Sequence, residues 1–179
     1  MRLRLLAGFL LPIFLSGCSV FLSQQQREEK YGRAAPVITQ SYAGREIVPG
    51  DTWRVYLNAS DPDGDMQYVI AVLSQPGGGD YSPSYTRIPK ERGKDLSGYI
   101  YLNTLFPEGY EFLTFYTLTL TVNIKDKAGH LSAPAVFPVT FNPRAVQEPP
   151  PPGIFEEVSL GPVMITVHPF DSEDRGIFR

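Results

Sequence analysis

Strict alternation of apolar and polar side chains is the feature that most limits the fold of this chain. Residues 115–125 read FYTLTLTVNIK, so apolar and polar residues occupy opposite faces of one extended segment. Residues 52–60, TWRVYLNAS, alternate in the same way. A period of two places successive side chains on opposite sides of a β-strand, and threonine favours strands because it is branched at Cβ. Both segments therefore predict half-buried antiparallel strands.

Four further segments fit the strand pattern, and no helical stripe interrupts them. They are residues 36–42, 66–74, 97–106 and 133–141, separated by turn-forming residues. Short strands with turn signals roughly every ten residues are typical of a β-sandwich. We therefore expect an all-β fold: a single Ig-like antiparallel β-sandwich over residues 36–142. Pro138 cannot donate a ladder hydrogen bond, so the last strand should lie at an edge or carry a bulge.

The sandwich is flanked by an N-terminal tether and a proline-linked C-terminal tail. Residues 18–35 are mainly polar and show no sustained period, so we interpret them as a tether, with a short helix as the alternative. Residues 143–153 contain four consecutive prolines, which favour a stiff polyproline II linker. Residues 154–179 form the tail, which contains one short strand.

The strand of the tail consists of Val163, Ile165 and Val167, which alternate with more polar neighbours. A single strand cannot bury its own apolar face, so it must pair with another sheet. Because a stiff linker separates it from the sandwich, we expect these three residues to bind the exposed sheet edge of a partner. The alternative is that the tail returns to its own domain as an additional edge strand.

The first residues resemble the signal of a bacterial lipoprotein. Two arginines precede an apolar run over 5–15, which is shorter than the roughly 20 residues of a membrane-spanning helix. The run ends in LSGC at positions 15–18, which resembles a lipobox. The resemblance implies a signal peptide over residues 1–17, cleavage before Cys18, and lipid chains on that cysteine. Two or more chains would hold the protein at a membrane.

The N-terminus also implies a location and excludes some chemistry. Ser19 after the cysteine resembles the enterobacterial sorting pattern for the outer membrane, so we expect a lipid-anchored protein of the bacterial cell envelope with an envelope protein as partner. Cys18 is the only cysteine, so its lipidation would leave no thiol for disulfides, metal binding or catalysis. The formal net charge of −3 argues against nucleic acid, whose phosphates require clustered Lys and Arg.

The sandwich segment is similar to the bacterial Ig-like, PKD and cadherin-like group of extracellular domains. The likeness is carried by SDPDGD at 60–65, after the second strand, and by VNIKDKAGHLSAP at 122–134, at the last hairpin. It departs from antibody domains, since there is no cysteine pair and Trp53 lies on the second strand rather than the third. The lipobox, the sandwich pattern and the absence of a catalytic constellation in the sequence together favour a non-catalytic structural or protein-interaction module.

Three aspartates alternate in the SDPDGD loop: Asp61, Asp63 and Asp65. In an Ig-type sandwich this loop and the last hairpin lie at the same end, so Asp126 is expected nearby. Four carboxylates with some backbone carbonyls would suit Ca²⁺, a hard cation with about 6–8 oxygen ligands, which would stiffen the loop. The alternative is a plain turn, because Asp-Pro-Asp-Gly is strong turn chemistry without a metal.

Other polar groups give less specific signals. His130 has Asp126 and Ser132 close in sequence, but proximity on one hairpin does not make a catalytic triad, and we expect no enzyme activity. An aromatic surface suited to sugar stacking is one further possibility. A calcium- or carbohydrate-binding module is therefore the alternative function, and no other cofactor is expected. The tyrosines that would form the aromatic surface are Tyr81, Tyr85, Tyr99 and Tyr101.

Overall fold

The computed structural model describes residues 22–77, 79–104 and 117–167. Within these ranges the chain forms one α-helix, a short 3-10 turn at Lys90–Arg92 and ten strands. The helix α1 is Gln24–Tyr31, and the strands are β1 Val37–Ala43, β2 Glu46–Ile47, β3 Thr52–Ser60, β4 Met66–Gln75, β5 Gly79–Asp80, β6 Ser84–Arg87, β7 Asp95–Asn103, β8 Thr117–Asp126, β9 Ala135–Phe141 and β10 Ser159–Pro162.

The strands form two sheets that enclose the core. Sheet A has the order β1-β3-β7-β10, and sheet B has the order β2-β9-β8-β4, with β5 and β6 both pairing with the free side of β4. The long neighbours are antiparallel, whereas β2 with β9 and β10 with β7 are parallel. The predicted all-β, Ig-like sandwich is confirmed, and these two parallel pairs are its departures from a purely antiparallel arrangement.

The core follows the alternation seen in the sequence. Every second residue of β8 is buried, and the intervening threonines are half-buried on the outer side. On β3 the inward residues begin with Trp53, whose ring nitrogen donates to the Gly44 carbonyl at 2.8 Å. Burying each large apolar side chain contributes about 1.5–3 kcal/mol, so these rows dominate the stability of the domain. The two inner rows are Trp53, Val55, Leu57 and Ala59 on β3, and Leu118, Leu120, Val122 and Ile124 on β8.

The chain crosses between the sheets near its first strand. β1 pairs with β3 in sheet A, and β2 then pairs with the end of β9 in sheet B. The segment predicted as the second strand is therefore β3. Thr140 and Phe141 pair with β2, whereas the other residues of β9 have only β8 as a neighbouring strand within the described residues. Pro138 lies in that edge portion, where a missing N–H costs no ladder hydrogen bond, as predicted.

Residues 18–35 are not a plain tether, because Gln24–Tyr31 form α1. A capping box starts the helix: the Gln26 N–H donates to Ser23 Oγ at 3.2 Å, and the Ser23 N–H donates to Gln26 Oε1 at 2.8 Å. Gly32, with φ of 113°, ends it. No helix among the described residues has the length and apolar character needed to cross a bilayer. Cys18 and the signal segment lie outside the described residues.

The prediction that the tail is held away from the sandwich is wrong. The linker crosses the outer face of sheet A, where Gln147 Nε2 donates to the Thr52 carbonyl at 3.2 Å and Tyr42 Oη to the Glu148 carbonyl at 3.3 Å. β10 then adds to sheet A beside β7. Gly98 allows this pairing, because a Cβ at that position would collide with the Val158 carbonyl, which accepts the Tyr99 N–H at 2.9 Å.

The tail supplies core residues instead of a docking strand. Val163 and Val167 are buried in the core of this chain's own sandwich, and Ile165 packs against it. Hydroxyls of β6 hold the segment: Thr86 Oγ1 donates to the Pro162 carbonyl at 2.9 Å, and Ser84 Oγ accepts the Met164 N–H at 2.8 Å. The tail thus closes the side of the sandwich between β7 and β6, which is why its apolar face is not left for a partner.

Candidate functional site

Three of the four predicted carboxylates meet at the end of the sandwich next to α1. Asp61 and Asp65 lie in the loop between β3 and β4, and Asp126 ends β8. All three are buried, and one carboxylate oxygen of each lies within 4.8 Å of the others. Asp63 does not join them, since it is exposed and its Oδ2 accepts the Ala34 N–H at 2.7 Å. We call Asp61, Asp65 and Asp126 the carboxylate cluster.

The loop is also the sharp turn that its composition predicts. The Asp63 N–H donates to Asp61 Oδ1 at 2.9 Å, and the Gly64 N–H donates to the Asp61 carbonyl at 3.1 Å. Gly64 has φ of 72°, which glycine adopts at little cost. The turn directs Asp63 outwards and its two neighbours inwards. Turn and cluster are therefore compatible features of one loop.

Two carboxylate oxygens of the cluster lack a hydrogen-bond donor. Asp65 Oδ2 accepts the Lys127 N–H at 3.1 Å, but Asp61 Oδ2 and Asp65 Oδ1 are buried without a partner. An unpaired buried charge costs several kcal/mol, so a shared proton or a bound cation must compensate. The oxygens fit a hard cation such as Ca²⁺, with Asp61, Asp65 and Asp126 as the residues that would hold it.

The proton alternative is visible in the pKa of Asp65. Burial, then a hydrogen bond with Asp61, then the negative charges of Asp126 and Asp61 raise the pKa of Asp65 to about 6. A proton shared with Asp61 would satisfy both orphaned oxygens near or below that pH. A cation would satisfy them when the proton has left.

His130 links the carboxylate cluster to α1. Its Nδ1 lies 2.8 Å from Asp126 Oδ2, and its Nε2 lies 3.4 Å from Glu28 Oε1. The hydrogen bond that His130 donates to Asp126, together with the charge of Asp126 and the hydrogen bond and charge of Glu28, raises the pKa of His130 against the opposing effect of burial. Ser132 does not face this histidine, because its Oγ donates to the Ala133 carbonyl and accepts the Ile124 N–H, both at 2.9 Å.

The four tyrosines considered for sugar stacking do not share a surface. Tyr99 and Tyr101 lie on the outer face of sheet A, where Tyr99 packs 5.4 Å from Tyr56 beneath the linker and tail. Tyr81 packs against the core and donates to Gln75 Oε1 at 3.0 Å. Tyr85 lies on sheet B, with its ring 6.1 Å from that of Tyr68. The described structure thus offers no joint aromatic platform from these residues.

An apolar surface on sheet B was missed by the sequence reasoning. We define the outer face of sheet B by its apolar members, Tyr68, Ile70, Val72, Tyr85 and Val136. Tyr85 and Val136 are 58% and 56% exposed, and the other three are half-buried. Strand register places Ile70 beside Tyr85, and places Val72 and Val136 on either side of Thr121. The signal was present, because β4 is apolar on both of its faces.

The comparisons with known proteins identify no family for this chain. No protein-family model and no curated protein matches the chain. One similar solved structure is the PKD domain of an M14-like peptidase from Thermoplasmatales archaeon SCGC AB-540-F20, with 15% identity over 62% of this chain and 97% of that chain, at a TM-score of 0.36. A likeness at that score carries no argument. The Ig-like assignment rests on the strand order and the buried rows.

Proposed function

We propose that this protein is a lipid-anchored, non-catalytic module of the bacterial cell envelope that binds another envelope protein through the outer face of sheet B. The observation that carries the proposal is the contrast between the two sheet faces. The chain's own linker and tail cover the outer face of sheet A, so Tyr56 is buried there although it points away from the core. Nothing among the described residues covers the outer face of sheet B.

The composition of that face suits a protein partner. Aromatic and aliphatic side chains on the solvent-facing side of a sheet provide the desolvated area from which interfaces derive most of their affinity. Arg87 and Lys125 flank Tyr68 in adjacent strands, so the face ends in two cations. A partner with an apolar surface of its own would complement the apolar members of this face.

The polar groups support a binding role rather than catalysis. A hydroxyl nucleophile requires a base within hydrogen-bond reach, and Ser132 Oγ and the His130 ring have different partners. The carboxylate cluster is enclosed and engaged with backbone N–H groups on one side. Such an arrangement stiffens the loops at this end.

Lipid labelling tests the anchor. Cells expressing the wild-type chain and fed radiolabelled palmitate should yield a labelled protein in the outer-membrane fraction. The Cys18→Ser variant should lose the label and leave the membrane fraction. A wild type without label, or a Cys18→Ser variant that stays in the membrane, would refute the lipoprotein proposal.

Site-specific photo-crosslinking in cells tests the surface. A photoreactive residue at Val136 should give a discrete adduct with one protein, since that side chain lies on the proposed interface. The matched control is Val37, which is 54% exposed but lies on β1 in sheet A. Tyr85→Glu should abolish the adduct formed at position 136, because a charge would be buried unpaired. Equal adducts at positions 37 and 136 would contradict the assignment.

A second candidate function, divalent-cation binding, is favoured by the two orphaned oxygens of the carboxylate cluster. Calcium should raise the melting temperature of the wild type relative to chelator, because a ligand of the native state alone stabilises it by about 2.7 kcal/mol at a hundredfold excess over Kd. Asp61→Asn should lose this response. Asp63→Asn is the matched control and should retain it, since Asp63 lies outside the cluster. An identical response in both variants, or none in the wild type, would exclude the site.

A further inference from the structure

Positive charge is concentrated at the end of the sandwich that carries α1. The described residues contain twelve lysines and arginines, and nine of them lie there: three within 27–33, four within 87–94 and two within 125–127. These segments are neighbours, because Arg87 and Lys125 flank Tyr68 and the Lys94 carbonyl accepts the Asp61 N–H at 2.8 Å. We call these three segments the cationic end.

At the surface of the cationic end, cations outnumber carboxylates. Nine carboxylates lie at this end, including Glu156, which pairs with Arg92, but the three of the carboxylate cluster are buried, which leaves six against nine. The rest of the described chain has the opposite balance, with three cations and five carboxylates. An acidic protein, with a formal net charge of −3, thus has one locally basic end.

Most of these cations are available to a ligand. Among the described residues, salt bridges engage two of the nine, Arg33 with Glu28 at 3.9 Å and Arg92 with Glu156 at 3.1 Å. Leu131, which is exposed, pairs with Lys125 at the same end. Cations around an exposed aliphatic side chain are the chemistry that an anionic bilayer surface attracts, through its headgroups and its outer acyl region.

The position of the proposed anchor points the cationic end at the membrane. Gln24, the first residue of α1, follows Cys18 by six residues. An extended chain spans at most about 3.5 Å per residue, so the start of α1 stays within roughly 20 Å of a lipidated Cys18. We propose that the cationic end lies against anionic phospholipid headgroups and thereby orients the domain on the membrane. This inference rests on the lipid anchor proposed above.

Vesicle binding by an unlipidated chain tests this surface separately from the anchor. The chain starting at residue 18 with Cys18→Ser keeps every described residue, including the whole core and all contacts of α1. It should co-sediment with phosphatidylcholine vesicles that contain phosphatidylglycerol, but not with phosphatidylcholine alone. Binding should weaken as salt is raised, because the headgroup attraction is screened.

Charge reversals identify the end that binds. Lys94→Glu with Lys125→Glu should lower the affinity at least tenfold, since each cation near an anionic surface contributes about fivefold. Neither lysine side chain forms a hydrogen bond or salt bridge with another described residue, so the fold should be kept. Arg45→Glu with Arg144→Glu is the matched control outside the cationic end, and it should change the affinity less than about threefold.

The alternatives give distinguishable results. Equal binding to vesicles with and without phosphatidylglycerol, no binding at low salt, or equal losses in both double variants would overturn the proposal. Salt-sensitive binding to polyglutamate without vesicle binding would also overturn it and would assign the cationic end to an acidic protein. None of these outcomes affects the lipid anchor, which palmitate labelling tests independently.

Discussion

At the scale of single residues, Asp65 shows that position within a turn, rather than residue type, decides whether a side chain is buried. Three aspartates alternate at 61, 63 and 65, yet the turn sends one of them to the surface and two into the protein. Burial of Asp65 raises its pKa to about 6, from an ordinary value of 3.8. The sequence identified the right residue types for a carboxylate cluster, and the hydrogen bonds of the turn selected the members.

The raised pKa of Asp65 predicts that stability falls as the pH rises. The folded state keeps a proton that the unfolded state releases, so this stabilisation is complete below about pH 4 and is lost as the pH passes through about 6. In thermal melts without divalent cations, the wild type should lose up to about 3 kcal/mol over that range. Asp65→Asn should remove most of this decline, because the amide can donate permanently to Asp61.

Two comparisons make the pH experiment specific. His130, whose pKa is also raised, loses stabilisation in the same direction but only above its ordinary value of 6.5, so Asp65→Asn should remove the decline between about pH 4 and 6 and keep the one at higher pH. Asp63→Asn should leave the slope unchanged, since that side chain is exposed and outside the cluster. A slope in Asp65→Asn equal to that of the wild type would show that this carboxyl does not hold the proton.

At the scale of elements, α1 and β10 are the two segments whose placement departs from the sequence expectation. The signal for α1 was present as a capping box, with Ser23 at the cap and Gln26 three residues later. The alternation of Val163, Ile165 and Val167 was recognised as well, but these residues follow β10, which ends at Pro162, and they pack against the core without forming a strand. Neither signal predicts which surface the element will contact. The polar contacts of α1 and the pairing of β10 with β7 both join residues that are far apart in the sequence.

The buried valines of the tail predict a measurable contribution to stability. Val167→Ala should lower the free energy of unfolding by about 1–3 kcal/mol, because it leaves a cavity in the core, where Val167 is buried. Met164→Ala, in the same segment but 77% exposed, should change it by less than about 0.5 kcal/mol. Urea denaturation of the two variants measures both values. Equal effects would mean that the tail does not pack in solution as described.

At the scale of the whole molecule, the sandwich is completed by residues far apart in the chain. Sheet A has β1 at one edge and β10 at the other, and the linker between them crosses the outer face of that sheet. Glu156 and Glu157 secure the crossing through Arg92 at 3.1 Å and Arg54 at 3.6 Å. The domain therefore extends beyond residue 142 and includes the linker and the first part of the tail.

Truncation tests this extended domain boundary. A chain ending at Pro143 should lose several kcal/mol of stability or fail to unfold cooperatively, since it lacks β10 and two core valines and exposes the aromatic groups beneath the linker. A chain ending at Val167 is the control, because it keeps every contact described for the tail. Differential scanning calorimetry distinguishes them. Equal melting temperatures for the two truncated chains would show that the domain ends at residue 142.

The sequence by itself determined the strands and their inner faces, whereas the tertiary structure determined which segments distant in sequence contact each other. Alternation is local, so TLTLTVNI already states which side chains of β8 avoid water. Three results depended on pairing between residues about 60–100 positions apart: the return of the tail to β7, the meeting of Asp61 and Asp65 with Asp126, and the docking of α1 at His130. Local periodicity shows that an apolar face must be buried, but strand register and loop geometry determine which segment buries it.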